Sequence, residues 1–304
     1  MDKINKAAIV GAGALGVMYG WHLTKKLGQD RVFMIADEKR INRYVNEGIF
    51  CNGERCKFRF VDSTKTFGER ADLIIFATKF TAMNMAIKEA LNFVHKDTIF
   101  LSVLNGIESE KLIGEAFGED HLIYCMVYGM DSCRKENNVH YENMGTVAFG
   151  DKSNEITHDV KLVKEFFSMA EIKYEIPKDI IHELWSKLML NCGVNQVAAI
   201  YNTGYKSLQE QGKKRQMMLD VMREVKEVAK YEGIDLTEDE IDQWMVILGT
   251  LDPNGMPSLV QDLRAGRKTE VELFGGSIKK LGIKYGVSTP INDFLYEKIK
   301  EMEG

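Results

Sequence analysis

A glycine-rich turn near the N-terminus constrains this chain more than any other feature. The segment Gly11-Ala12-Gly13-Ala14-Leu15-Gly16 follows the apolar run Ala7–Val10 and opens a segment with helical character. In that context the first glycine permits a tight turn, the second lets the backbone approach a pyrophosphate, and the third lets the helix pack closely on the strand. The helix start adds unpaired N–H groups and the positive end of the helix dipole. The motif predicts a dinucleotide site; the alternative is a turn that binds nothing.

The pattern up to about residue 150 alternates between strands and helices. Short β-branched or aromatic runs, separated by helix-like segments, are Ala7–Val10, Val32–Ala36, Leu73–Ala77, Thr98–Val103 and Leu122–Val127. This alternation is typical of βαβ units and a parallel sheet. After the second run, Asn52-Gly53 predicts a two-residue hairpin and a small antiparallel insertion. Together with the glycine-rich turn, the pattern predicts an α/β Rossmann domain, a parallel sheet with helices on both faces.

The second half of the chain has a helical pattern. Strand signals disappear from about residue 178, and helices are predicted over Ile180–Asn202, Lys213–Glu232 and Ser258–Leu281. Capping residues and a proline at a first helical position predict further helix starts at Thr237, Ser258 and Thr289-Pro290. We expect the boundary at Pro177, with the Rossmann domain over residues 1–177 and an all-α domain over residues 178–304.

Composition and charge exclude several classes of protein. The 304 residues include 40 Lys and Arg against 45 Asp and Glu, a net charge of −5. That balance provides no basic surface for nucleic acid, and no apolar run is long enough to span a membrane or to direct export. The five cysteines lack zinc-ligand spacing. We expect a cytoplasmic protein with reduced thiols, no metal, and a small molecule as its partner.

The residues after the second predicted strand bear on the choice of cofactor. Asp37 lies 21 residues after Gly16, where an acid accepts from an adenosine ribose 2′-hydroxyl and repels a 2′-phosphate. That position favours NAD. Lys39 and Arg40 could instead turn back onto a 2′-phosphate, and a third interpretation makes Asp37 a helix-start acid followed by solvated bases. These residues alone leave the three alternatives open.

A polar stripe runs along the first helix predicted in the second half. Lys187, Asn191 and Asn195 are spaced four residues apart, so an ammonium and two carboxamides share one helical face. Their neighbours are mostly apolar, which indicates a buried helix. The stripe is either a solvated edge or the wall of a functional cleft. A ketone that receives hydride becomes an alkoxide, which a positioned ammonium can stabilise and protonate.

Ordered motifs run along almost the whole chain. They are the Gly11–Gly16 turn, Lys79, Asn105-Gly106, the Lys187-Asn191-Asn195 stripe, Ser258 with Gln261-Asp262, Thr269-Glu270 and Gly286–Pro290. In this order they resemble the ketopantoate reductase family. The resemblance implies reduction of 2-dehydropantoate to (R)-pantoate with NADPH, a step towards pantothenate and coenzyme A. Because Asp37 stands where the family often carries a basic residue, NADH is a second expected cofactor. A homodimer is left open.

The resemblance also implies roles for individual residues. Lys187 would be the general acid, Glu270 would bind the distal hydroxyl of the substrate, and Ser258 would bind its carboxylate. Asn191 and Asn195 would line the substrate pocket, and Lys79 would hold the cofactor. Asn105 and Glu270 would contact both the substrate and the cofactor. The active site is expected in the cleft between the two domains.

Structural interpretations and other functions stay open. Three of these positions could serve the fold alone, as a strand end, a turn and a helix cap: Lys79, Asn105-Gly106 and Ser258. Glu270 could pair with Arg264 or Arg267 on its own segment. The alternative functions are a related dehydrogenase acting on another 2-oxo acid, an imine or an opine, and a non-catalytic NAD(P)-sensing protein.

Overall fold

The chain divides into two units. A computed structural model describes residues 1–65 and 68–303. The first unit consists of Met1–Asn105 and Ser109–Ile181, and the second of Gly106–Glu108 and His182–Gly304. The division falls in the first turn of a helix that begins at Ile180, a little beyond the boundary expected at Pro177.

Among the described residues, the first unit contains all five strands predicted from the sequence, together with seven others. Its strands are β1 (Ala7–Val10), β2 (Val32–Ala36), β3 (Phe50–Cys51), β4 (Glu54–Arg55), β5 (Phe60–Asp62), β6 (Leu73–Phe76), β7 (Ile99–Ser102), β8 (Leu122–Met130), β9 (Cys133–Lys135), β10 (Asn138–His140), β11 (Met144–Gly150) and β12 (Tyr174–Glu175). Its helices are α1 (Ala14–Leu27), α2 (Glu38–Glu47), α3 (Met83–Ala90), α4 (Ser109–Phe117) and α5 (His158–Met169).

Eight strands form the main sheet, in the order β12-β11-β8-β7-β6-β1-β2-β5. All neighbours from β5 to β8 are parallel, and their order is the doubly wound order of dinucleotide-binding domains. β11 pairs antiparallel with β8 and extends the sheet; neither β11 nor β12 is predicted from the sequence. The predicted α/β Rossmann class is confirmed.

Both faces of the sheet are buried, which explains why its strands are continuous apolar runs. Along β1, Ile9 faces a core that includes Met18 of α1 and residues of α5. Its neighbours Ala8 and Val10 face a second core that includes Met83 of α3 and a residue of α4. Successive side chains of a strand point to opposite faces, so a strand covered on both sides is apolar at nearly every position.

The predicted hairpin at Asn52-Gly53 is confirmed. Both turn residues have left-handed backbone conformations, with φ of +49° at Asn52 and +81° at Gly53, as a two-residue hairpin turn requires. The turn joins β3 to β4 as an antiparallel pair. β9 and β10 add a second hairpin and complete a four-stranded sheet. No local pattern predicts this addition, because β3 and its partner β10 lie far apart along the chain.

The second unit is helical. Its helices are α6 (Ile180–Ile200), of which the first two residues belong to the first unit, α7 (Lys206–Gln209), α8 (Lys213–Tyr231), α9 (Glu238–Thr250), α10 (Ser258–Arg264), α11 (Gly275–Tyr285) and α12 (Pro290–Met302). None of the described residues from 182 onward forms a strand, so the all-α prediction is confirmed. Among residues 1–65 and 68–303, no helix is both long and apolar enough to cross a membrane.

The prediction of one helix over Ser258–Leu281 is wrong. The segment forms α10, a 3₁₀ turn at Val271–Leu273, and the start of α11. The chain leaves α10 through Gly266, whose φ of +64° is left-handed and ends a helix at little steric cost. A Cβ at Gly275 would lie 2.2 Å from Oε1 of the buried Gln196, so α11 can approach α6 only because its first residue is glycine.

A helix begins at each of the three predicted starts, and two of these starts carry the predicted residues in the predicted positions. Thr237 and Glu240 form a reciprocal capping box at the start of α9. Thr289 is the N-cap of α12, and Pro290 occupies its first turn, where its missing N–H costs no hydrogen bond.

The predicted cap at Ser258 is wrong. Pro257 is the N-cap of α10, and Ser258 is the first residue of the helix. The Ser258 hydroxyl donates instead to Oδ1 of Asn195 at 3.0 Å. This partner lies 63 residues away in the sequence, so a local capping pattern does not reveal it.

A remote glutamate completes the start of α12. The Glu224 carboxylate on α8 accepts from the N–H groups of Ile291 and Asn292 at 2.9 and 2.8 Å. It also accepts from the side-chain amide of the fully buried Asn292 at 2.9 Å. Two backbone donors at the helix start and the carboxamide of Asn292, which also donates to the carbonyl of Val221 at 3.3 Å, therefore share one carboxylate.

We expect Glu224→Ala to lower the free energy of unfolding by about 2 to 3 kcal/mol, because it leaves the N–H groups of Ile291 and Asn292 unpaired and removes one of the two acceptors of the Asn292 carboxamide. The matched control is Glu227→Ala on the same helix, which removes an exposed ion pair with Lys230 and should cost within about 0.5 kcal/mol. Urea unfolding followed by circular dichroism measures both. Equal unfolding midpoints for the two variants would contradict the capping role of Glu224.

Candidate active site

The glycine-rich turn brings three backbone segments together. Gly11 has a φ of +107°, and a Cβ there would lie 2.6 Å from the carbonyl oxygen of Ala77, just after β6. A Cβ at Gly16 would lie 2.1 Å from the carbonyl oxygen of Gly11. Any larger residue would collide with the backbone at both positions. The turn itself therefore requires these two glycines, whatever it binds.

Gly13 differs from the other two glycines. It is the N-cap of α1 and, as a glycine, has no side chain that could cap the helix. The nearest atom to a Cβ at Gly13 would be 3.6 Å away, an ordinary contact. The protein leaves room for a side chain there, which a pyrophosphate could use. The first N–H groups of α1 have no acceptor within the helix, and such groups hold phosphates. The turn thus fits a dinucleotide.

Four predicted cofactor positions lie at one edge of the main sheet. Gly11, Asp37, Lys79 and Asn105 follow β1, β2, β6 and β7, which are neighbouring parallel strands. The carboxyl ends of parallel strands meet at the same edge, and ligands bind there beside the point where the strand order reverses. Lys79 is exposed and Asn105 is half-buried. The first unit therefore brings these positions together.

The Asn105-Gly106 step is a turn in which glycine is required. Gly106 has a φ of +86°. Gly106 and Leu273 both belong to the second unit, and a Cβ at Gly106 would lie 3.2 Å from Cβ of Leu273. The backbone conformation and the close packing both favour glycine. The turn therefore explains why residue 106 is glycine. Asn105 remains a predicted site residue at the edge of the sheet.

A cluster of charges lies at the end of β2. Asp37 is the N-cap of α2: its Oδ1 accepts from the N–H of Arg40 at 2.7 Å and its Oδ2 from Nε of Arg40 at 2.9 Å. The same guanidinium donates to Glu89 of α3. Partial desolvation opposes ionisation of Asp37, but the contacts with Arg40 hold the pKa of Asp37 below its ordinary value. Asp37 is a helix-start acid, as one alternative predicts, but Arg40 is not simply solvated.

The polar stripe of α6 is largely buried. Lys187 and Asn195 are 8% and 6% exposed, and Nδ2 of Asn195 donates to Oδ1 of Asn191 at 3.4 Å. The alternative of a solvated edge is therefore wrong. Nδ2 of Asn191 is buried and has no hydrogen-bond acceptor among the described residues. A buried donor without an acceptor is costly unless a ligand or water supplies one.

Asn195 links α6 to the start of α10. Its Oδ1 accepts from the Ser258 hydroxyl at 3.0 Å and from the N–H of Leu259 at 3.3 Å. Asn195 therefore replaces a local cap for α10. Hydrogen bonds thus connect Asn191 to Asn195 and Asn195 to Ser258. With Lys187, these are the four predicted substrate-site residues of α6 and α10.

Glu270 lies on the segment after α10, as the N-cap of the 3₁₀ turn. The N–H and the hydroxyl of the preceding Thr269 both donate to Oε1 of Glu303, at 2.8 and 2.5 Å. The Glu303 side chain is 5% exposed and pairs with Lys300 at 3.2 Å. The end of α12 therefore fixes the backbone that carries Glu270.

The two arginines near Glu270 have other partners. Nε of Arg267 donates to Asp262 at 2.9 Å, and Nε of Arg264 donates to the side chain of Asn202 at 2.8 Å. Asn202 and Asp262 therefore hold the two guanidinium groups.

Three supporting residues are missed by sequence reasoning. Glu89 contacts Arg40, Glu303 fixes Thr269, and the Trp244 indole donates to Ser186, beside Lys187, at 2.9 Å. Glu89 does leave a signal, because it is a charged residue on the apolar face of α3. The other two contacts join distant segments and leave none.

Two models of one protein family match the chain. The ketopantoate reductase PanE/ApbA model matches residues 7–154. The ketopantoate reductase PanE/ApbA C-terminal model matches residues 179–303. Together they cover most of both units.

Curated relatives match over nearly their full length. The chain is 27% identical to a 2-dehydropantoate 2-reductase of Aquifex aeolicus, over 99% of this chain and 97% of the relative. It is 26% identical to a 2-dehydropantoate 2-reductase of Pyrococcus horikoshii, over 98% of this chain and 97% of the relative.

Solved structures share the fold. A PanE/ApbA family ketopantoate reductase from Ralstonia eutropha has a TM-score of 0.84 and 25% identity, over 98% of both chains. A D-mandelate dehydrogenase in complex with NADH has a TM-score of 0.85 and 25% identity, again over 98% of both chains. The family resemblance is confirmed, since the family models span most of the sequence. The chain belongs to the ketopantoate reductase family and is an NAD(P)H-dependent oxidoreductase acting on a keto group.

Proposed function

We propose that this protein reduces 2-dehydropantoate to (R)-pantoate, with Lys187 as the general acid. The observation that carries the proposal is the buried polar stripe of α6. There an ammonium lies one helical turn from Asn191, whose buried carboxamide nitrogen lacks an acceptor in the described chain. An ammonium and a carboxamide nitrogen are both hydrogen-bond donors, which suit the oxygen atoms of a 2-oxo acid.

A nicotinamide dinucleotide supplies hydride to the keto carbon when it is bound. NADPH is the proposed cofactor, with NADH also accepted because of the Asp37 carboxylate. The uncapped start of α1 and the space at Gly13 support a dinucleotide. The residues proposed to hold it are Gly11, Ala12, Gly13, Ala14, Leu15, Gly16, Asp37, Lys39, Arg40, Lys79, Asn105 and Glu270.

Proton transfer is the step assigned to Lys187. As hydride adds to the keto carbon, the π electrons of the C=O bond move to its oxygen, and Nζ of Lys187 donates a proton to that oxygen. The neutral amine then regains a proton from solvent. Nδ2 of Asn191 donates a hydrogen bond to a substrate oxygen, which gives this nitrogen the acceptor that the protein does not supply.

Three further residues are proposed to recognise the rest of the substrate. Glu270 accepts a hydrogen bond from the distal hydroxyl, and Asn105 lines the pocket. Ser258 binds the carboxylate, which requires its hydroxyl to exchange Asn195 for the substrate. The enzyme in this proposal acts in the cytoplasm on a small molecule, and a homodimer is compatible with it.

A related reaction on another 2-oxo acid is the second candidate. The D-mandelate dehydrogenase with the same fold supports it, at 25% identity. Oxidation of NADPH and NADH, followed by absorbance with 2-dehydropantoate and a panel of other 2-oxo acids, decides between the candidates. Turnover of another 2-oxo acid, with no turnover of 2-dehydropantoate, would support the second candidate. Binding of dinucleotide without turnover of any acid would indicate a sensor.

The glycine-rich turn allows binding to be separated from folding. Gly13→Ala should leave the melting temperature unchanged but raise the Kd for the reduced dinucleotide at least about tenfold, because its methyl group would occupy the space left for pyrophosphate. Gly16→Ala should lower the melting temperature by several degrees or more, since its Cβ meets the Gly11 carbonyl. Fluorescence titration and thermal melting measure these effects. Unchanged affinity in Gly13→Ala would contradict the proposed cradle.

Lys187→Met removes the ammonium and keeps much of the apolar stem. We expect kcat to fall by about 100-fold or more, the usual effect of losing one acid or one oxyanion donor. The Kd for the dinucleotide should hardly change. Lys206→Met, an exposed lysine on α7, is the matched control and should leave kcat unchanged. Steady-state kinetics and melting temperatures are measured on the same preparations. A normal kcat in folded Lys187→Met would exclude the general-acid role.

Glu270→Ala should raise KM for 2-dehydropantoate by about tenfold relative to a 2-oxo acid of similar size without the distal hydroxyl. The reason is that only the first substrate loses a charge-assisted hydrogen bond. Glu301→Ala, an exposed residue of α12, serves as control. If both KM values rise equally in Glu270→Ala, Glu270 does not recognise the hydroxyl.

A further inference from the structure

A buried carboxylate holds the arginine at the end of β2. Glu89 on α3 is 8% exposed. One of its oxygens accepts from the Arg40 guanidinium, and the other, Oε2, is buried without a hydrogen-bond partner in the described chain. Burying a charge is costly unless an opposite charge compensates it. Glu89 therefore depends on Arg40 as its counter-ion.

Asp37 binds the same guanidinium from the helix start. Its two oxygens accept from the N–H and from Nε of Arg40 at 2.7 and 2.9 Å. Arg40 is thus shared by two carboxylates, and its side chain is 27% exposed. A 2′-phosphate would have to compete with both carboxylates for the guanidinium and would draw Arg40 away from Glu89. Glu89 would then be a buried charge without a cation, a costly state.

The neighbouring lysines do not replace Arg40 fully. Lys65 pairs with Glu38 at 3.3 Å and with Asp62 at 3.1 Å. Lys39 is exposed, so water screens its charge. Of the three cations Arg40, Lys65 and Lys39, the first two are therefore already paired with carboxylates before any phosphate binds.

We propose that Glu89 is a specificity-determining residue for the cofactor: by holding Arg40 it weakens binding of the 2′-phosphate and lets NADH compete with NADPH. Glu89 is a positioning residue that acts through Arg40. The inference rests on the proposed dinucleotide site. The 2′-hydroxyl of NADH is unaffected, because a carboxylate has about four acceptor positions and Asp37 uses two of them for Arg40.

Glu89→Gln tests the proposal by removing the charge while keeping an oxygen acceptor and nearly the same shape. The Kd values of NADPH and NADH are measured by fluorescence titration without any 2-oxo acid. Adenosine 2′,5′-bisphosphate and 5′-AMP provide the same comparison without the nicotinamide. Without the charge of Glu89, the Arg40 guanidinium keeps only Asp37 as a carboxylate partner and can make a charge-assisted bond to the 2′-phosphate, so we expect the NADPH Kd to fall about tenfold. The NADH Kd should stay within about twofold.

Two further variants make the test decisive. Glu89→Leu also removes the unpaired buried oxygen and should shift the ratio of the two Kd values in the same direction. Glu38→Gln is the matched control, because it removes an exposed negative charge beside Asp37 without touching Arg40; we expect less than a threefold change. An unchanged ratio in folded Glu89 variants, or an equal shift in Glu38→Gln, would overturn the proposal.

Failure of this inference is distinguishable from failure of the proposed reaction. A protein that binds both dinucleotides but turns over no 2-oxo acid contradicts only the proposed reaction, and the Kd ratios still decide the role of Glu89. A wild-type protein that binds neither dinucleotide would overturn both the cofactor site and the role of Glu89.

Discussion

The close approach of backbone at Gly11, Gly16 and Ala77 is the contact on which the first unit depends. No side chain fits between these segments, since a Cβ at Gly16 would lie 2.1 Å from a carbonyl oxygen. β1, the start of α1 and the end of β6 therefore meet at one point. That contact directs the first N–H groups of α1 towards the edge of the sheet where Asp37, Lys79 and Asn105 also lie. The parallel strand order then collects charged and polar groups around a helix start that can bind phosphate.

In the second unit, polar side chains lie inside a helical core and have to find hydrogen-bond partners there. Asn195 does so by accepting from the hydroxyl of Ser258 and the N–H of Leu259, and by donating to Asn191. The start of α10 is therefore capped from α6, and α10 can begin without a local cap. Along this stripe the carboxamide nitrogen of Asn191 is the buried atom for which the described chain provides no acceptor. A site that binds a polar ligand needs such a donor, because a donor already paired within the protein has less to gain from the ligand.

Contacts between distant segments support the proposed site residues in both units. Arg40 is held by Glu89, and the backbone before Glu270 is held by Glu303 at the other end of the helical unit. Hydrogen bonds from Thr269 and the pairing with Lys300 outweigh desolvation and hold the pKa of Glu303 below its ordinary value. Such partners determine which groups remain available to a ligand. Arg40 illustrates the point, because its position in the sequence suits a 2′-phosphate while its two carboxylate partners oppose that use.

Local patterns were sufficient for many features that one segment decides by itself. The five predicted strands, the Asn52-Gly53 hairpin, the capping box of α9 and the glycine-rich turn all follow from residue type and spacing, because side-chain alternation, turn conformation and helix capping act over a few residues. The ordered motifs likewise identified the family and the candidate residues. The tertiary structure alone decided which partner each polar group found. Ser258 pairs with Asn195 instead of capping its own helix, Arg40 pairs with Glu89, and Gly275 allows α11 to begin against Gln196. Hydrogen bonds and ion pairs depend on distances in space, and residues far apart in the sequence become neighbours only when the chain has folded.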